Sequence, residues 1–218
     1  MGYNIAIDGP AGAGKSTIAK LVAKRKGYIY VDTGALYRGL AVHFLDRGID
    51  PSDKGKIIEA CKDADVTIRY EAGVQQIYLN GENITSRLRT EEAGNMASVS
   101  SAVPEVRAKL LQLQRNLAAE QDVVMDGRDI GTCVLPDADV KVYLTASVET
   151  RARRRYEELM AKGVGCVYSE IAADIEARDR RDMTRETAPL RQAEDAVLVD
   201  SSDMTIPEVV EAIIRLCR

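Results

Sequence analysis

Tryptophan is absent from this sequence, and phenylalanine and histidine occur once each. Aliphatic side chains must therefore supply the core volume that large aromatics supply elsewhere. The lone histidine, His43, lies mid-helix within Leu40-Ala-Val-His-Phe44. It reads as structural or surface, and no cysteine has a histidine beside it in sequence. Histidine is the usual general base near neutral pH. Chemistry that needs one is all but excluded, which leaves positioning and charge. Cys61, Cys133, Cys166 and Cys217 are scattered, with no C-x-x-C pair. Zinc is therefore not expected, and four reduced thiols in a cytoplasmic protein are. No apolar run approaches the ~18 residues of a membrane span. A strand pattern starts at Tyr3, so no signal peptide is expected, and Ala6 breaks the myristoylation pattern. Acidic residues outnumber basic ones, 34 to 30, for a net charge of −4. That balance speaks against a protein that coats a nucleic acid polymer.

What is present points to one soluble α/β unit. The 218 residues, 45% hydrophobic and 29% charged, suit one core with an insertion. Gly9-Pro10-Ala11-Gly12-Ala13-Gly14-Lys15-Ser16-Thr17 satisfies G-x-x-x-x-G-K-S/T, the P-loop pattern. An apolar strand pattern, Tyr3 to Ile7, precedes it, and a helical pattern with Ile18, Leu21 and Val22 follows. Glycines let successive N–H groups turn inward around phosphate oxygens. The helix below adds its positive end. Lys15 would bridge the terminal phosphates and the Ser16 hydroxyl would bind Mg²⁺. A glycine-rich turn without a ligand is the plainer alternative.

Strand patterns at Tyr3–Ile7, Tyr28–Val31, Val123–Met125, Val140–Leu144 and Ala196–Val199 alternate with helical ones. The helices are expected at Lys15–Lys26, Ala35–Arg47, Ser52–Ala64, Glu91–Ser101, Glu105–Glu120, Val148–Lys162, Ser169–Thr184 and Ile206–Leu216. Five short apolar strands between helices predict a parallel sheet covered on both faces. Val66–Tyr70 and Gln76–Leu79 alternate around the turn Glu71–Val74 and read as an antiparallel hairpin. Asn80-Gly81 marks a second turn, with a third short strand opening at Ile84. Such a hairpin has no place inside a parallel sheet, so it belongs to an insertion.

Three further constellations carry polar chemistry. Asp32-Thr33-Gly34-Ala35-Leu36-Tyr37-Arg38 follows the second strand, where ligands of doubly wound sheets bind. Arg38 would reach an anion there, or the segment is only a capped helix start with a solvated arginine. Asp126-Gly127-Arg128-Asp129 ends another strand. Asp126 resembles a Walker B aspartate that holds Mg²⁺ directly or through water. Arg128 would fork onto a phosphate, although a polar turn would look the same. Arg178, Asp182 and Arg185 share one helix face, suited to phosphates and a ribose hydroxyl or to a solvated row of ion pairs. Arg151, Arg153, Arg154 and Arg155 open the preceding helix, and Gly163-Val164-Gly165 between the two is a hinge or tip for a mobile lid.

With these motifs in hand, the chain resembles the bacterial cytidylate kinases of the nucleoside monophosphate kinase family. The resemblance rests on Ile7-Asp8-Gly9-Pro10-x-Gly12-x-Gly14-Lys15, Asp32-Thr33-Gly34-Ala35-x-Tyr37-Arg38, Asp126-Gly127-Arg128-Asp129-Ile130-Gly131-Thr132 and Arg178-Asp179-x-x-Asp182-x-x-Arg185. It covers essentially the whole chain. It implies a P-loop kinase fold: a five-stranded parallel sheet, a small antiparallel insertion in the monophosphate-binding region and a helical lid. Core segments 1–62, 91–150 and 186–218 would carry an insertion at about 63–90 and a lid at about 151–185. The implied reaction is Mg²⁺-assisted transfer from ATP to CMP and dCMP. Lys15, Arg128, Arg178 and Arg185 would act on the transferring phosphates. Thr33, Tyr37, Arg38 and Arg128 would hold the acceptor near its phosphate, and Ser98, Arg107 and Asp129 would read cytosine. Arg178 and Asp182 would touch the ribose side. Arg151, Arg154 and Arg155 would belong to the lid, with Arg154 on ATP. A cytoplasmic monomer with no membrane or nucleic acid polymer as partner is the matching expectation. Rival readings are a P-loop kinase for another small acceptor, such as UMP or a hydroxylated metabolite, and a nucleotide switch that transfers nothing. The switch lacks an N-K-x-D signature here.

Overall fold

A computed structural model describes residues 2–217 of the chain. In chain order the first half runs β1 (Asn4–Asp8), α1 (Lys15–Lys26), β2 (Ile29–Asp32), α2 (Thr33–Asp46), α3 (Lys54–Lys62), β3 (Val66–Glu71), β4 (Val74–Leu79) and β5 (Glu82–Asn83). The second half runs α4 (Glu91–Ser100), α5 (Pro104–Glu120), β6 (Val123–Gly127), β7 (Val140–Thr145), α6 (Val148–Ala161), α7 (Tyr168–Thr184), β8 (Val197–Asp200) and α8 (Ile206–Ile214). Five strands form one parallel sheet in the order β2-β6-β1-β7-β8. The register places Asp8 beside Gly127 and Asp32 beside Asp126, so three strands end together at one crevice.

Alternate side chains explain the covered faces. Ile5, Ile7, Val124, Val142 and Leu144 pack against Ile18 and Val22 of α1 and Val209 and Ile213 of α8. Ala6, Val31, Val123 and Met125 face the other way, toward Ala118 of α5 and Ile130 and Val134. With so few aromatics, aliphatic contacts fill both layers, and Phe44 is the one large ring buried without exposure.

The hairpin β3–β4 does not extend the parallel sheet. It pairs antiparallel with itself and with β5. Ile77 and Leu79 join a core with Leu36 and Leu40 of α2 and Met96 of α4. A β-carbon on Gly39 would come within 3.1 Å of Ile77, so α2 and β4 lie in close contact. Tyr70 and Gln75, directly opposite each other in the hairpin, reach the free edge of β2. The Tyr70 hydroxyl donates to the Tyr30 carbonyl at 3.0 Å. The Gln75 amide accepts from Asp32 N–H at 2.8 Å and donates to its carbonyl at 3.2 Å.

Several boundaries differ from the sequence expectation. The hairpin turn is only Ala72-Gly73, both at positive φ (49° and 76°), so the strands run longer. The third strand is Glu82–Asn83 and does not open at Ile84. Ile84 instead turns inward as a buried anchor. Asp32 accepts the Ala35 N–H at 2.9 Å, which starts α2 at Thr33. Asp53 caps α3 in the same way, moving its start past Ser52. Residues Ile130–Val134 form a single π-helical turn that the sequence did not predict.

Candidate active site

The P-loop connects β1 to α1 and forms one wall of a cleft of about 710 Å³. Gly12 and Gly14 have φ of 77° and 86°, where a β-carbon is strained. Gly9 works differently. A β-carbon there would lie 1.9 Å from the Leu144 carbonyl, so Gly9 lets the loop cross β7 and does not line the cleft. Pro10 does not line it either; its carbonyl accepts from the Lys15 ammonium at 2.7 Å. Ala11, Gly12, Ala13, Gly14, Lys15, Ser16 and Thr17 all do. Lys15 is buried, and burial followed by repulsion from Arg128 lowers its pKa. Burial, and then the neighbouring Asp32, raise that of Asp126.

Asp126 stands at the end of β6 beneath this wall. Its carboxylate accepts from the Ser16 hydroxyl at 3.0 Å and from the Tyr30 hydroxyl at 2.7 Å. This hydroxyl and carboxylate are hard oxygen donors, the type magnesium takes. Among the described residues no group of three His, Cys, Asp or Glu side chains comes together. A magnesium ion would thus draw most of its ligands from phosphate and water. Asp8, at the end of β1, has another task. It accepts the N–H groups of Ile130 and Gly131 at 2.8 and 2.7 Å, fixing the turn that follows Asp129. Burial pushes its pKa up to about 6.

The opposite wall is built from arginines. Arg38 projects from the second turn of α2, Arg128 follows β6, and Arg178 comes from α7. Arg128 donates through Nε to Asp182 at 2.8 Å. Among the described residues, Arg38 and Arg178 have no carboxylate within ion-pair distance. Arg178 Nε is buried without a hydrogen-bond partner. Burial and then the nearby Arg128 bring its pKa down to about 10, and burial lowers that of Arg38. An anion bound among these buried cations would offset both their burial and their mutual repulsion. Thr33 lies beside them, its hydroxyl donating to the Asp126 carbonyl at 2.7 Å.

At the far end Arg107 pairs with Asp129, and Arg185 reaches the other oxygen of the same carboxylate at 3.5 Å. Arg185 also donates to the Ser101 hydroxyl at 3.1 Å and the Ala188 carbonyl at 2.8 Å. The Tyr37 ring lies 5.8 Å from the Arg107 guanidinium. Burial pushes the Tyr37 pKa up to about 12. The Ser98 hydroxyl is buried with no partner and lines the same end. Ser98, Arg107 and Asp129, far apart in sequence, thus share one pocket.

Arg154 also lines the cleft, donating to the Ser201 carbonyl at 2.6 Å. Met204, Thr205 and Ile206 line the wall beside it. Arg151, expected to belong to the lid, is 4% exposed, donates to the Ala146 and Ala11 carbonyls and pairs with Asp179. Sequence reasoning missed Ser101, Arg89 and Tyr30. Arg89 pairs with Asp32 at 2.8 Å from the end of the insertion, and no motif marked it. Only the position of Tyr30 two residues before Asp32, near a strand end, could have flagged it.

The model of the cytidylate kinase family matches residues 5–218. The chain belongs to the cytidylate kinase family. A cytidylate kinase of Caldicellulosiruptor saccharolyticus is 49% identical over 213 residues, spanning 98% of this chain and 94% of that one. One from Exiguobacterium is 49% identical over 212 residues, spanning 97% and 95%. A solved structure from Eubacterium ventriosum, an uncharacterized protein, aligns with a TM-score of 0.52 at 13% identity over 99% of this chain and 97% of that one. That likeness concerns the fold alone.

Proposed function

We infer that this cleft transfers the γ-phosphoryl group of ATP to CMP, and to dCMP, giving the diphosphates. The observation that carries the reading is the arginine wall facing the P-loop. Among the described residues Arg38 and Arg178 have no carboxylate within ion-pair distance, and Arg128 has one. The P-loop holds the donor phosphates and the arginines hold the acceptor phosphate across from them. Ser98, Arg107 and Asp129 read the base. A carboxylate or hydroxyl accepts from the cytosine amino group, and arginine donates to its ring nitrogen and carbonyl. Uracil reverses two of these atoms and leaves buried groups unpaired.

No general base is required. The second pKa of a phosphate monoester is near ~6, so the acceptor is already mostly dianionic. Lys15, Arg128, Arg178 and Arg185 neutralise and align the phosphates for in-line transfer. Ser16 and Asp126 would hold magnesium, which supplies further charge neutralisation. The hairpin region 63–90 extends the acceptor side and the helices of 151–185 act as the lid. In this reading, which the family resemblance carries, the enzyme works as a cytoplasmic monomer. Among the described residues no helix is long and apolar enough to cross a membrane. Release of ADP from ATP, measured with CMP, dCMP, UMP and AMP, tests the assignment. CMP and dCMP should lead. UMP or AMP ahead of CMP by about tenfold would break the cytosine reading.

A further inference from the structure

Asp179 lies inside the arginine-rich motif of α7 but faces away from the nucleotide chemistry. It is buried, and its carboxylate meets Arg151 at 2.7 Å. Arg151 also donates to two backbone acceptors. Its Nε donates to the Ala146 carbonyl at the end of β7, and Nη1 donates to the Ala11 carbonyl of the P-loop, each at 2.9 Å. One guanidinium thus joins three pieces: the phosphate cradle, the end of the sheet and α7. The Ala11 carbonyl belongs to the planar peptide that carries the Gly12 N–H. Fixing one fixes the direction of the other.

One turn further along α7, Asp182 meets Arg128 at 2.8 Å, at the end of β6. The helix is therefore pinned twice, through Asp179 to the donor wall and through Asp182 to the acceptor wall. Arg178 precedes the first pin and Arg185 follows the second by three positions. Stability alone is a weak reason for the first pin. A buried ion pair is often no better than an apolar pair of the same shape. Asp179 Oδ1 is moreover buried without a partner, which adds cost. What the pair does supply is a fixed distance and direction between the P-loop backbone and the arginine row.

We propose that Arg151 and Asp179 form a pivot that transmits occupancy of the P-loop to α7, and that both are positioning residues for Arg178 and Arg185. Arg151 is thus a fixed joint between the P-loop and the two helices. The proposal rests on reading the cleft as a donor and acceptor nucleotide site.

Hydrogen exchange on the full chain, with and without the non-transferring ATP analogue adenylyl imidodiphosphate, tests it. In the unmodified protein the analogue should slow exchange both in the P-loop and across residues 178–185. In Asp179→Asn the P-loop should still respond, while the response of 178–185 should fall severalfold. The kcat should drop on the order of 10- to 100-fold through misplacement of the arginines, with the KM for ATP within about threefold. Arg151→Lys keeps the charge but cannot fork onto three acceptors, so it should decouple the helix in the same way. It also serves should Asp179→Asn not fold. The double variant should lose little more than either single one. Undiminished transmission to 178–185 in a folded variant overturns the pivot. So does a lowered Tm with unchanged kcat, which would make the pair a plain brace. Absence of any P-loop response in the unmodified protein overturns the nucleotide reading, and the pivot with it.

Discussion

The two walls of the cleft are built on opposite plans. The donor wall is made mainly of seven consecutive residues, Ala11 to Thr17, and its one lysine is already bonded to the Pro10 carbonyl. The acceptor wall is made of side chains from α2, α4, α5, α7 and the end of β6, and among the described residues two of its arginines, Arg38 and Arg178, have no carboxylate within ion-pair distance. The donor wall is complete before anything binds. The acceptor wall stores repulsion that a phosphate relieves. A backbone cradle accepts any nucleoside triphosphate tail, whereas a side-chain wall can be shaped to one acceptor. Generality and specificity thus lie on separate sides of one crevice.

The contrast breaks most readily at Lys15. Lys15→Met should lower kcat on the order of 10³-fold for every acceptor. Its Tm should hold or rise, because a cation whose burial is costly has gone. A matching loss of stability, seen by calorimetry, would mean that Lys15 is structural. On the other wall, Arg128→Ala should cost roughly 10² to 10³ in kcat/KM for CMP. Binding of ATP, measured by titration, should change by less than about threefold. Equal losses for both nucleotides would erase the distinction between the walls.

Asp8 lies between the two walls and sharpens the comparison through pH. Its folded pKa is raised from 3.8 to about 6. The folded protein therefore binds more protons than the unfolded chain between about pH 4 and 6. Stability from this group falls as pH rises through that window. Relative to Asp8→Asn, the unmodified protein should lose about 2 kcal/mol between pH 4 and 6, read from denaturant melts. A constant difference would show that Asp8 does not titrate there. The smallest effect is expected at Tyr30. Tyr30→Phe frees one oxygen of Asp126 and should raise the magnesium concentration for half-maximal rate about tenfold, with kcat at saturation nearly unchanged. No change in that requirement would separate Asp126 from the metal.

The same contrast decides how much could be read from the sequence. The P-loop, the order of strands and helices, and the hairpin are local patterns, and all are visible in contiguous residues. The polar strand ends at Asp32 and Asp126 were legible because apolar runs stop there. Ser98, Arg107 and Ser101 were not, since helix-surface polar residues carry no pattern until the fold brings them to Asp129. Arg151 looked like its neighbours Arg153, Arg154 and Arg155. Only burial distinguishes it, through contacts with residues 28 and 140 positions away in sequence. The π-helical turn depended on Asp8, whose partners lie 122 and 123 residues on.

Tyr70 and Gln75 give the hairpin a use unrelated to nucleotides. A parallel sheet ends in a row of open peptide groups, and such a row invites a strand from another molecule. Here two side chains occupy the open groups of Tyr30 and Asp32, imitating the hydrogen bonds of a neighbouring strand. The insertion thus acts as a guard rail. It covers the β2 margin of the sheet, whereas β8 forms the opposite, more exposed margin.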